Sequence, residues 1–194
     1  YGSYGALAVA MFANMFAIGV LEVAFMLDAV VRFGIGPLEI GGFFGVIGVF
    51  MIFGNIGFGR LSDKSGRKWL IVVGALIGTI SMLMFATAAD TMGFYLAGAV
   101  LSIGMSMRGP AIQALIADLT DPKSYGRVMG LFGAVSNSAY VVSPTMSGYL
   151  FDVTGNAIPS LLIAGGVSLI GGVVAGVAIS SDIPRAYWNT SIPI

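Results

Sequence analysis

Long apolar stretches alternate with short polar breaks along this chain, and six of the stretches are long enough to cross a bilayer. A helix needs about 20 residues to span a hydrocarbon core of about 30 Å. The pattern predicts spanning helices over residues 6–32, 37–58, 69–88, 92–117, 127–150 and 158–180. The breaks are short, so consecutive helices are predicted to be antiparallel. Pro37 suits the first turn of its helix, where a missing N–H costs nothing. The last stretch, 181–194, carries Pro184 and Pro193, lacks periodicity and reads as a tail.

Composition turns the pattern into an all-α membrane protein. Of the 194 residues, 57% are hydrophobic and 9% charged, whereas a soluble domain carries about 25% charged residues. The polar surface is too small to cover the chain in water, so the lipid bilayer is its first expected partner. The formal net charge of zero gives no reason to expect a nucleic-acid partner. The chain holds neither Cys nor His, which removes disulfides, thiolate metal sites and the commonest general base. No metal site and no cofactor is expected. An intramembrane enzyme is disfavoured, because no activated nucleophile or acid–base pair is evident. The first residues show no signal-peptide pattern. The chain starts without Met and reads as a piece of a longer protein.

Charge sets the orientation. Gly59 to Lys68 holds Arg60, Lys64, Arg67 and Lys68, four of the nine basic residues. Lys123, Arg127 and Arg185 also fall in or beside the even breaks or the tail. Lys and Arg bias a loop to the cytoplasmic side, so both termini are expected in the cytoplasm, with the protein integral to the cell (inner) membrane.

The run G-x-L-x-D-x-x-G-R-K, carried by Gly59, Leu61, Asp63, Gly66, Arg67 and Lys68, resembles the signature loop of the major facilitator superfamily, between the second and third helices of a six-helix half. A second copy, G-x-L-x-D-x-[ST]-G, runs from Gly148 to Gly155, offset by 89 residues (59 to 148) without the cations. An odd number of helices separates the copies and puts them on opposite sides of the bilayer. Six helices as an inverted three-plus-three repeat, forming one half of a major facilitator fold, are what this implies. Ala117 to Pro122, followed by Tyr125 to Gly130, resembles the link from fourth to fifth helix in that family. Ser143-Pro144-x-x-Ser147-Gly148 resembles its G-P-x-x-G-G motif, with serine at two glycine positions, a departure that weighs against export. The phrase Gly148 to Gly155 looks more like second halves of the monocarboxylate-porter type, and the chain is read as such a half. The resemblance also implies a missing other six-helix half of the same chain. It implies a conformational latch at the basic ends, built from Gly59, Asp63, Gly66, Arg67, Lys68, Asp118 and Arg127. The alternative for these charges is a solvated topology signal.

Candidate chemistry lies inside the spans. Carboxylates within a membrane are rare and usually face a cavity or a partner. Glu22 and Asp28 are therefore candidates for proton coupling, although Asp28 has a plainer reading as an interfacial acid balanced by Arg32. Arg108 calls for compensation by an anionic substrate, held bidentately, or by a fixed ion pair with Glu22. Asn14, Tyr140, Asn137 and Gln113 complete the substrate-binding candidates. A stripe of Gly133, Ser136, Tyr140, Ser143 and Ser147 on the fifth helix either lines an aqueous path or bonds to neighbouring helices. Gly41, Gly45 and Gly48 form a stripe on the second helix. With Gly126-x-x-x-Gly130 and Gly172-x-x-x-Gly176 it is expected to allow close helix packing.

The reading these features support is secondary active transport of a small organic solute. An organic anion is favoured, moved by alternating access with proton coupling as in a symporter. A multidrug or metabolite exporter half is the alternative within the family. A non-transporting six-helix scaffold or homo-oligomeric pore is the alternative outside it.

Overall fold

The computed structural model describes residues 2–179, with the side chains of 63–65 outside the described part. The tail 181–194 likewise lies outside the described residues. Six helices follow one another, α1 (Gly2–Phe33), α2 (Pro37–Ser65), α3 (Arg67–Thr87), α4 (Thr91–Leu119), α5 (Tyr125–Thr154) and α6 (Ile158–Ala178). Five are long and apolar enough to cross a membrane. Helix α5 is 30 residues long but is the exception, because its middle carries Ser136, Asn137, Ser138, Tyr140, Ser143 and Thr145.

The basic run is not the loop expected from sequence. Helix α2 continues through Gly59 to Ser65, and α3 starts at Arg67, so Gly66 alone stands between them. Gly66 has φ +90°, a conformation that only glycine adopts freely. Gly155, 89 positions on, ends α5 with φ +72°. The repeated motif therefore marks the same backbone event twice, a glycine stop after the second helix of each three-helix unit.

Packing obeys the same repeat. Helix α1 packs on α5 and α6, α4 packs on α2 and α3, and α3 packs on α6. Exchanging α1–α3 with α4–α6 returns this set unchanged. With short connections throughout, the C-terminal ends of α2 and α5 fall at opposite ends of the bundle, as an inverted repeat requires. The α3–α6 seam carries the symmetry in hydrogen bonds. Thr79 Oγ1 donates to Gly165 O at 3.1 Å, and Ser168 Oγ donates to Ala75 O at 3.2 Å. Thr79 and Ser168 are again 89 residues apart.

Helices in lipid gain little by hiding apolar surface from one another, so close backbone approach matters more. A Cβ on Gly74 would lie 2.8 Å from Gly104 O, and one on Gly104 would lie 2.9 Å from Gly74 O. Gly172 is packed against Ala75 and Gly176 against Val72, as expected for α6. The expected close packing of the other stripes is corrected. Nothing lies within 4 Å of a Cβ built on Gly41, Gly45, Gly48, Gly126 or Gly130. The outward faces of α2 and α5 are unpacked, and α2 exposes Phe50, Ile52, Phe53 and Ile56.

Two apolar clusters fill the bundle. One, toward the basic end, includes Leu7, Leu70, Ile116 and Phe132. The other centres on Phe25, Phe43, Phe85 and Phe94. The rings of Phe25 and Phe43 stack at 4.0 Å and those of Phe25 and Phe94 at 5.0 Å. Gly98 leaves room for the Phe43 ring, which would otherwise meet a Cβ at 2.4 Å. Between the clusters lie the buried polar residues Asn14, Ser106, Arg108, Ser136 and Ser168.

Gly74→Ala should destabilise the protein by about 1–3 kcal/mol, the usual range for overpacking, whereas Gly45→Ala should be neutral. Melting of the two variants in detergent, followed by size-exclusion fluorescence, checks the contrast; equal behaviour would refute the α3–α4 contact.

Candidate functional site

Glu22 lies on the α1 face that meets α5, and Tyr140 lies on α5 opposite it. The Tyr140 hydroxyl donates a hydrogen bond to Glu22 Oε2. Glu22 is half-buried and Tyr140 is 40% exposed, so the pair sits at the edge of the α1–α5 seam. One turn along α1, a Cβ on Gly19 would lie 2.2 Å from Ser143 Oγ and 3.1 Å from Pro144 Cδ. Gly19 thus lets the two helices touch where Pro144 interrupts the backbone ladder. Pro144 has no N–H to give the carbonyl of Tyr140, four residues earlier. A carboxylate, a phenol and a carbonyl relieved of its helix partner are gathered at one edge of the bundle. Such a set can exchange a proton and accept hydrogen bonds from a polar or cationic solute.

The other candidates disperse. Asn137 is exposed, one turn before Tyr140 on α5, and Gln113 is exposed on α4. Asn14 is buried, and its Oδ1 has no hydrogen-bond partner. Asp28 is fully buried and takes Arg32 as its ion-pair partner at 2.6 Å. Arg32 also donates to Ala88 O at 2.6 Å, tying the end of α1 to the end of α3. Arg108 is not paired with Glu22. Its guanidinium turns into the α3–α4–α6 seam and donates to Ser168 Oγ at 2.8 Å. The α5 stripe is split: Ser136, Ser143 and Ser147 are buried, and Ser136 Oγ returns to its own helix at Phe132 O.

At the basic end, Arg67 and Asp118 form an ion pair at 2.9 Å, joining the start of α3 to the end of α4. Arg127 is exposed and forms no ion pair among the described residues. The side chain of Asp63 lies outside the described residues. Gly59 is open to its surroundings, and Gly66 makes the turn. Lys68 is half-buried in the first turn of α3.

Sequence reasoning missed Tyr4, whose hydroxyl donates to Leu119 O and pins the start of α1 to the end of α4. It also missed Thr79 and Ser168, which the 89-residue offset, applied beyond the motif itself, would have singled out. No such signal marked Tyr4.

Known proteins bear on this arrangement. Multidrug resistance protein 2 of Bacillus subtilis is 29% identical over 92 residues, covering 47% of this chain and 23% of that protein. Quinolone resistance protein NorA of Staphylococcus aureus is 27% identical over 96 residues, covering 50% of this chain and 25% of that protein. The match thus spans about a quarter of each relative's length. The model of the Major Facilitator Superfamily matches residues 7–192. With six helices, glycine stops 89 residues apart and a seam that maps onto itself, the chain belongs to the Major Facilitator Superfamily, a family of membrane transporters.

Proposed function

We propose that this bundle is one half of a secondary transporter that exports small organic compounds in exchange for protons, with Glu22 as the proton-carrying group. The Glu22–Tyr140 pair is the observation that carries this reading. A carboxylate at the edge of a membrane bundle, bonded to a neutral hydroxyl and to no cation among the described residues, is free to gain and lose a proton. The hydroxyl fixes its position in either state. Proton gain and loss at such a site is how a transporter half ties solute movement to a gradient across the bilayer. The names of the relatives, a multidrug and a quinolone resistance protein, support export of organic compounds over uptake. An organic anion as substrate rested on Arg108, and the burial of its guanidinium in the α3–α4–α6 seam removes that support. An exposed Asn137 beside an acid and a phenol suits an amphipathic or cationic solute better.

The unpacked faces of α2 and α5 are where the other six-helix half would dock, closing a path lined by α1 and α5. The basic end would face the cytoplasm of a cell membrane, with both termini there. The Arg67–Asp118 pair would hold that end of α3 and α4 together in one of two conformations, with Lys68 and Arg127 flanking it. A single ion pair partly open to solvent contributes about 0–1 kcal/mol, enough to bias a balance between two conformations of nearly equal energy.

In proteoliposomes of the full-length parent, Glu22→Gln should abolish movement of a fluorescent lipophilic cation driven by a pH gradient. Exchange of the same solute without a gradient should persist. Proton-driven transport surviving in Glu22→Gln would refute the assignment. Tyr140→Phe should retain coupling but slow transport by roughly ten- to a hundredfold, the range for a hydrogen bond to a charged group worth about 1.5–3 kcal/mol. Asp118→Asn should increase labelling of a cysteine placed at the basic end, and the charge swap Arg67→Asp with Asp118→Arg should restore protection. Identical labelling in all three proteins would remove the latch.

A further inference from the structure

Arg108 is 2% exposed, and its hydrogen bonding is incomplete. Nη1 is used by Ser168. Nε and Nη2 are buried and donate to nothing in the chain. In a guanidinium these two N–H groups share one edge and point the same way, forming the fork that holds one anion through two parallel hydrogen bonds. The acids with described side chains are all engaged elsewhere or distant. Asp28 and Asp118 are ion-paired, and Glu22 takes the Tyr140 hydroxyl. Glu39, Asp90 and Asp121 accept backbone N–H groups of Gly36, Gly93 and Lys123, and Asp152 is exposed at the end of α5. A cation left alone in the interior of a lipid-embedded bundle is among the costliest arrangements a fold can hold.

The surroundings are built for this group. A Cβ on Gly74 would lie 3.0 Å from Arg108 Cβ, and one on Gly78 would lie 3.4 Å from Nη1 and 3.6 Å from Cζ. The two glycines on α3 make way for the stem and the head of the side chain. Ser168 is fixed in turn by donating to Ala75 O, so its oxygen is committed to holding Nη1 in place. A further polar group stands level with it. Gly171 of α6 packs on Ala10 and Ala13 of α1. Helices α1 and α6 run antiparallel, so Ser168, about one turn before Gly171, is at the height of Asn14. Asn14 is buried with Oδ1 unpartnered, and its amide, turned over, offers N–H donors instead.

We propose that Arg108, positioned by Ser168 and with Asn14 as a further donor, binds a small inorganic anion of halide size in the polar layer between the two apolar clusters. The anion is a resident of the α3–α4–α6 seam and not the transported solute. It neutralises the guanidinium and completes the joint between the two three-helix units.

Purified full-length parent protein, melted in chloride or in gluconate at equal ionic strength, tests this. The expected result is a saturable rise in Tm with chloride that bromide reproduces. Ser168→Asp puts a carboxylate where Nη1 already makes its contact, at the loss of the bond to Ala75 O; whatever its Tm, it should no longer respond to halide. Arg108→Gln should lose the response at whatever temperature it melts. Wild-type melting that is equal in chloride and gluconate would overturn the proposal, with water as the occupant of the fork. Retention of the full response in Arg108→Gln would overturn it as well. A larger shift with an organic carboxylate than with chloride would overturn it in favour of a substrate site.

Discussion

Contact between helix backbones is the constraint on which this bundle rests. In water a helix pair is held by hiding apolar surface, but in lipid that gain is small, and dispersion and a few hydrogen bonds must suffice. Both need helices closer than ordinary side chains permit. Gly74 and Gly104 bring the carbonyl of each within 3 Å of where the other's Cβ would stand, and Gly171 and Gly172 seat α6 against α1 and α3. Only at that separation can Thr79 and Ser168 reach carbonyls on the facing helix. The polar joint of the α3–α6 seam is therefore a product of the glycines, and the orientation of Arg108 is a product of that joint.

The architecture was legible in sequence because its signals are local or periodic. Five of the six expected spans are helices long and apolar enough to cross, and the inverted repeat follows from two copies of one motif whose glycines prove to take positive φ. Helix ends were less legible. Gly59 to Ser65 are polar enough to read as loop, yet a helix can leave the apolar layer and keep its hydrogen bonds, so α2 runs on to Gly66. The glycine stripe of α2 misled because small residues on one face announce a close approach without saying to what. The pairing of Glu22 with Tyr140, 118 residues apart, could not be read at all, since it depends on α1 lying beside α5. Each residue was legible as a candidate, but their partnership was not. The serine at 143, where the family motif has glycine, finds its reason in packing. The glycine at that crossing is supplied by α1 as Gly19, opposite Ser143. In the other unit the order is reversed, with Gly54 of α2 against Ser106 of α4.

The places where the repeat breaks are chemically the most distinctive. Counting 89 positions, Glu22 corresponds to Ala111, Tyr140 to Met51 and Arg108 to Gly19. Each charged or phenolic group has an inert counterpart, while the seam residues Thr79 and Ser168 both keep a hydroxyl. The acids Asp28 and Asp118 differ by one residue from the same spacing, and each is ion-paired near the end of its helix, one by Arg32 of its own helix and one by Arg67 of the preceding helix. Symmetry is kept where two units must fit and dropped where a single proton, solute or anion would be handled.

The exchange of second helices between the units bears on how the chain is put together. Helix α2 leans on α4 and scarcely on its own neighbours, and α5 leans on α1. A chain emerging from the ribosome would place α2 in the bilayer two helices before its support exists, and would place α5 against a helix made long before. Neither trio is a self-sufficient folding unit, and a truncation after α3 would leave α2 adrift in lipid, a substrate for quality-control proteases.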